Sequence, residues 1–163
     1  MRYKEFRENV ADKTFYHLSN TDRSNEGISR IHAGSNAVGA ERDNFHMVGD
    51  GLDPDSAMIH LYKIGRKAEH IVLQKSQYYH EISIELNLMS MESSNAQDAV
   101  NKADSMNGNR AINFSKIVKS MGYDGIELRG LIQLYRDIKP EEISKVIKLT
   151  PESRRLLGRS GQI

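Results

Sequence analysis

Apolar positions along this chain fall into two periods, and each predicts its own kind of element. The clearest run is 78–88, where Tyr78, His80, Ile82, Ile84, Leu86 and Leu88 alternate with Tyr79, Glu81, Ser83, Glu85 and Asn87. A period of two predicts a strand with one buried and one solvated face. Thr14 to Leu18 reads as a second, buried strand: it is aromatic and β-rich and runs into the turn-prone Ser19-Asn20-Thr21-Asp22. Helical spacing appears at Ala111, Phe114, Ile117, Val118 and Met121, which predicts an amphipathic helix from Asn109 to Met121 with Gly122 as its stop. Two strands follow, Gly125 to Arg129 and Leu131 to Ile138, with Gly130 at the hairpin, and Lys139-Pro140-Glu141-Glu142-Ile143 breaks the second.

Elsewhere the pattern is sparser. Residues 1–12 predict a short helix striped by Tyr3, Phe6 and Val10, and Glu26 to Ile31 fits one helical turn or a strand. Asn36 to Phe45 reads as a short helix and His46 to Asp53 as a loop. Asp53-Pro54 has the N-cap and first-turn chemistry of a helix start, with Ala57, Met58, Leu61 and Tyr62 as its apolar face. Ser93 to Met106 is polar and helix-prone, which predicts a surface excursion. The tail, 146–163, leans basic through Arg154, Arg155 and Arg159 and is expected to fray. The order of elements predicts one α+β domain over 1–163, with a mostly antiparallel sheet and flanking helices.

Composition narrows the chemistry. The 163 residues suffice for one domain with a real core. Apolar residues at 38% and charged ones at 28% mark a globular chain rather than a disordered one. With 23 basic and 22 acidic residues the net charge is +1, so no global field draws the protein to nucleic acid or a membrane, although a local patch would suffice for the former. The absence of cysteine excludes disulfides, thiolate catalysis and Cys-ligated zinc, and fits an intracellular, cytoplasmic setting. No apolar run approaches the ~20 residues of a membrane span, and the charged first twelve residues lack the apolar core of a secretion signal. The six histidines contain no His-Glu-x-x-His spacing, so no metal is expected; Asp50, Asp53 and Asp55 read as a solvated acidic loop.

Three short motifs remain. Phe15-Tyr16-His17-Leu18-Ser19 places a His-x-Ser at a strand end, where an imidazole and a hydroxyl can grip a ribose and a carboxamide, or where a core histidine is simply satisfied. His32-Ala33-Gly34-Ser35, followed by Ala40-Glu41-Arg42, is either a close-approach backbone site with a nearby cation or a turn before a helix capped by Ser35 or Asn36. Met121-Gly122-Tyr123-Asp124-Gly125-Ile126 ends a helix and starts a strand, which reads as architecture.

Taken in order over residues 13–145, these motifs resemble the ADP-ribosyltransferase superfamily, in particular its small phage and mobile-element members, which include an anti-CRISPR ADP-ribosyltransferase. The resemblance implies a split, mostly antiparallel sheet and the use of NAD as substrate. It implies that His17 touches the nicotinamide ribose, that Ser19 orients it, and that His32, Gly34 and Ser35 lie close to the dinucleotide. Arg42 would face the pyrophosphate as a charge-assisted donor. The implied partner is a host protein or nucleic acid in the host cytoplasm, with no membrane and no metal.

The family's acid, usually a glutamate near the last strands, stabilises positive charge developing on the ribose. Glu127 and Gln133 are the candidates here, and the hairpin is expected to turn both to one face, toward His17. If Gln133 holds the acid position the chain departs from the family, because glutamine offers hydrogen bonds but no charge. The implied function is mono-ADP-ribosylation of a host macromolecule. The alternative is a module of the same fold that has lost transfer and binds a nucleotide or blocks a host protein.

Overall fold

The computed structural model describes residues 13–30 and 58–163. Along the chain run β1 (Thr14–Ser19), β2 (Ile59–Lys63), α1 (His70–Lys75), β3 (Tyr78–Ser83), β4 (Leu88–Ser90), α2 (Ser94–Ser105), α3 (Arg110–Ser120), β5 (Gly125–Leu128), β6 (Leu131–Leu134), a 3-10 turn (Pro140–Glu142), β7 (Ile143–Lys148) and α4 (Pro151–Ser160). The strands form one seven-stranded sheet in the order β4-β5-β6-β2-β1-β3-β7. Every pairing is antiparallel except β4 with β5. The fold is α+β.

Four expectations are corrected. The helix expected to run on through Leu61 and Tyr62 is β2 instead. Met58 to Tyr62 is buried at every position, because β2 lies between β1 and β6 with both faces covered, and a short continuous apolar run carries no period to separate helix from strand. The strand expected over 78–88 ends as β3 at Ser83, residues 84–87 belong to no strand, and β4 begins at Leu88; its odd face is not wet throughout, since Tyr79 is buried against the helix layer. Ser93–Met106 is a docked helix. Ser93 caps it through Ala96 N–H, and Ala96, Ala99 and Ala103 form a small-residue stripe pressed on the sheet. The tail folds as well: β7 pairs with β3, and Thr150 caps α4, with Pro151 at the first helical position. The helix expected over 1–12 and the elements expected over 31–57 lie outside the described residues.

The break between β3 and β4 shapes the sheet. Five strand steps separate them in the strand order, which in a flat sheet would be about 24 Å. The chain from Ser83 to Leu88 reaches at most about 18 Å. The sheet therefore coils, and residues 84–88 cross its concave side. Their alternation survives the loss of pairing: Ile84, Leu86 and Leu88 pack onto a concave core of Phe15, Ile59, Leu61, Ile82, Ile132 and Leu134. Ile28 and Ile138, joined by an isolated bridge, complete that core.

The opposite face carries two helix pairs. At one end α1 and α4 cover Tyr16, Leu18, Tyr62 and Tyr79, with Leu157 fully buried among them. Tyr16 stacks on Tyr62 at 4.9 Å and on Tyr79 at 5.3 Å between ring centroids, and its hydroxyl donates to the Arg66 carbonyl. Burial pushes the Tyr62 and Tyr79 hydroxyls up to about 12. At the other end α2 and α3 cover Met89, Ile126 and Tyr135.

Candidate functional site

β1 sits near the middle of the sheet, so its side chains leave toward covered faces. Phe15, His17 and Ser19 point to the concave side, where Ile82, His80 and Tyr78 of β3 stand directly opposite them. His17 and Ser19 are both almost fully buried. The His17 Nδ1 lies 2.8 Å from the His60 carbonyl oxygen, which can only accept, so Nδ1 is the donor. In a neutral ring that leaves the acceptor lone pair on Nε2. Ser19 Oγ accepts from Thr21 N–H at 3.0 Å, closing the turn that leaves the strand.

His80 belongs to the same cluster. Its ring lies 6.1 Å from that of His17, and its Nε2 accepts the Arg23 backbone N–H at 2.9 Å. The turn at Asp22 is pinned by Ser24, whose hydroxyl and N–H both donate to Asp22 Oδ1, at 2.7 and 2.9 Å. Those bonds, with His80 nearby, hold the Asp22 carboxyl below its ordinary range. The sequence carried a signal for His80: it is an even position of the alternating run, directly in line with the buried isoleucine two residues on.

The hairpin carries the two candidate acids, and here the expected geometry is corrected. Leu128 pairs with Leu131 across a two-residue turn in which Arg129 and Gly130 both have positive φ, 51° and 87°. That primed turn matches the strand twist. It sets Glu127 opposite Ile132 and Gln133 opposite Ile126. Residues directly opposite share a face, so Glu127 and Gln133 point to opposite sides of the sheet. Glu127 joins the concave side with Ile132. Its Oε2 accepts the Gly130 N–H at 2.9 Å, bracing the turn. Gln133 faces the helix layer and borders a groove beneath α2 and α3.

The register links Glu127 to His17. Ile132 stands opposite Leu61, and the β1–β2 pairing continues to set Leu61 opposite His17. His17, Leu61, Ile132 and Glu127 thus form one row across four strands on the concave face, roughly 14 Å end to end along the sheet.

The Gly-Tyr-Asp-Gly turn is architectural, as expected. Gly122 ends α3 at φ 89°. Asp124 Oδ2 accepts from Asn87 N–H at 2.8 Å, its own N–H donates to the Asn87 carbonyl, and Asn87 Nδ2 donates to Gly122 O. A Cβ on Gly125 would stand 2.3 Å from the Gln133 carbonyl oxygen, so only glycine fits this strand start.

His32, Gly34, Ser35 and Arg42 lie outside the described residues. Among the described residues, no group of three or more His, Asp or Glu side chains is arranged to hold a metal ion, and no helix is long and apolar enough to cross a membrane. No family model matches this chain, and no curated protein or solved structure matches it.

Proposed function

We propose that this chain is a mono-ADP-ribosyltransferase that takes ADP-ribose from NAD and passes it to a host protein or nucleic acid, acting as a phage or mobile-element effector. The observation that carries the reading is the shared row: His17 and Glu127 stand on one concave face of a coiled sheet, reached from two distant motifs. Gln133 is set aside as the acid because it leaves the sheet on the other side.

In this reading His17, its ring orientation fixed by the Nδ1 bond to His60 O, is the residue that touches the nicotinamide ribose. Ser19 lies two residues on, on the same face, and orients the carboxamide of the leaving base. Glu127, at the far end of a row of roughly 14 Å, acts on the positive charge that grows on the ribose through the field of its carboxylate rather than by contact, as the C1′–N bond breaks and nicotinamide leaves with the bonding pair. The acceptor nucleophile then bonds C1′ and releases its proton. Glu127 already presents one carboxylate oxygen to Gly130 N–H, which holds the side chain at the hairpin end.

A second reading has its own support. His17 is 1% exposed, and the Glu127 carboxylate is engaged in its own turn. Both facts suit a non-catalytic module of the same fold that binds a nucleotide or blocks a host protein. Incubation with NAD labelled in the ADP-ribose moiety and a bacterial lysate separates the two. Label moved to a macromolecule supports the transferase, and NAD affinity without transfer supports the module.

A further inference from the structure

The helix-covered face has one end filled with stacked tyrosines and another end that leaves an open groove beside its packed cluster. Between α2, α3 and the hairpin lies an open groove of about 550 Å³, within the size range of small-molecule sites. Met91, Val100, Ala111, Phe114 and Ile126 give it apolar walls. The polar groups on its wall are few, and two are already committed. Asn109 caps α3 by accepting from Ile112 N–H at 3.1 Å, and Arg110 pairs with Asp104 at 2.8 Å. The third is Gln133, half-buried in the middle of β6 with its side chain bordering the groove. Among the described residues its carboxamide makes no hydrogen bond, although a glutamine amide carries two donors and an acceptor. Gln133 is only partly buried, so water completes its carboxamide in the free protein, and a ligand with matching groups has only to replace that water.

We infer that this groove is a second binding site, for an uncharged planar heteroaromatic ligand with an adjacent donor and acceptor on one edge, read by the Gln133 carboxamide. Glutamine pairs in this bidentate way with the amino group and ring nitrogen of adenine. Phe114 and the aliphatic walls supply the apolar contact, and a ligand with net charge gains nothing from a rim where Arg110 is neutralised by Asp104. The site lies on the opposite side of the sheet from His17 and Glu127, so it does not depend on the transferase reading.

The probe is adenosine, titrated to millimolar concentration against the whole chain and followed by residue-resolved NMR. Shifts are expected in the methyl groups of Val100, Ala111 and Ile126 and in the Gln133 side-chain amide. Gln133→Leu should weaken this binding about tenfold or more, Gln133→Glu should weaken it by removing the donor, and His17→Ala should leave it unchanged. Either glutamine variant, shown to be folded by its amide spectrum, suffices for the comparison. Adenosine that fails to shift these residues, that shifts only the concave face around His17, or that binds a folded Gln133 variant as tightly as the parent overturns the inference.

Discussion

The two faces of the sheet use the same strands for different purposes. On the concave face the row from His17 to Glu127 is bedded in apolar side chains, with Phe15, Ile59, Leu61, Ile132 and Leu134 almost completely buried around it. On the helix face the same strands offer Tyr16, Tyr62 and Tyr79 to one helix pair and Ile126 and Gln133 to the other. The first of those ends is filled by ring on ring, and the second leaves an open groove. One turn decides which face each of the two side chains reaches. A two-residue loop at Arg129-Gly130 sends Glu127 to the concave side and Gln133 to the groove. A loop one residue longer would exchange one of them.

The largest effect should come from removing what fills the tyrosine end. Truncation after Leu149 deletes α4, strips Leu157 from the stacked tyrosines and removes the Arg154 Nη2 bond to Ser76 O at 2.8 Å. The shortened chain should lose its cooperative thermal transition in calorimetry. A truncated chain that melts like the parent would mean that this end owes nothing to the helix.

On the concave side, Ile82→Asp should cost about 4 kcal/mol or more, because a carboxylate would enter a site with no exposure. Ile84→Asp should cost less than half of that, since Ile84 lies past the end of β3 and is only partly buried. Urea titration of both variants checks the ranking. Equal losses would place residues 84–88 as deep in the core as the strand itself.

At the groove end, Gly125→Ala should cost about 2–3 kcal/mol, as its Cβ would collide with backbone rather than with a movable side chain. Ala111→Leu should change stability by less than about 1 kcal/mol, since its added carbons grow into open space. A large loss for Ala111→Leu would show that the α2–α3 end is packed as tightly as the tyrosine end.

A smaller effect tests the link between the hairpin and the edge strand. Arg136 Nη2 donates to both carboxylate oxygens of Glu142, at 2.9 and 2.7 Å, and Lys139 N–H donates to one of them at 2.9 Å. Burial pushes the Glu142 carboxyl up, but these donors outweigh it and hold the carboxyl below its usual 4.5. A lowered folded-state value means a contribution fully present above pH 4.5 and lost as the pH falls through the folded value. The melting temperature of Glu142→Gln should therefore lie below the parent's at neutral pH and converge with it on acidification below 4.5. A gap that widens in acid would contradict the ion pair.

The sequence made the periodic elements legible. β1 and α3 appear where the apolar spacing put them, Gly122 and Gly130 turn the chain where expected, and Asp124 is structural. It hid three things, each for a physical reason. β2 has no period because both its faces are buried. The break after Ser83 leaves the alternation intact while the hydrogen bonds change partner, so pattern alone could not show it. The facing of Gln133 depends on the pairing register across the turn: with Leu128 opposite Leu131, two odd positions on the two arms fall on opposite faces. The cap at Thr150-Pro151 was readable in the sequence, but the basic side chains around it suggested a loose tail.

The proposed function has His17 and Glu127 act on one NAD molecule from the concave face. Transfer of labelled ADP-ribose to lysate macromolecules, compared between the parent and Glu127→Gln, tests it most directly. Glutamine keeps an oxygen to accept the Gly130 N–H, so the hairpin and the melting temperature should be preserved while the charge is lost. Transfer is expected from the parent, with a loss of about 100-fold or more in the variant, the scale of a few kcal/mol of lost charge stabilisation. Equal transfer by the two proteins, or none by the parent, would contradict it.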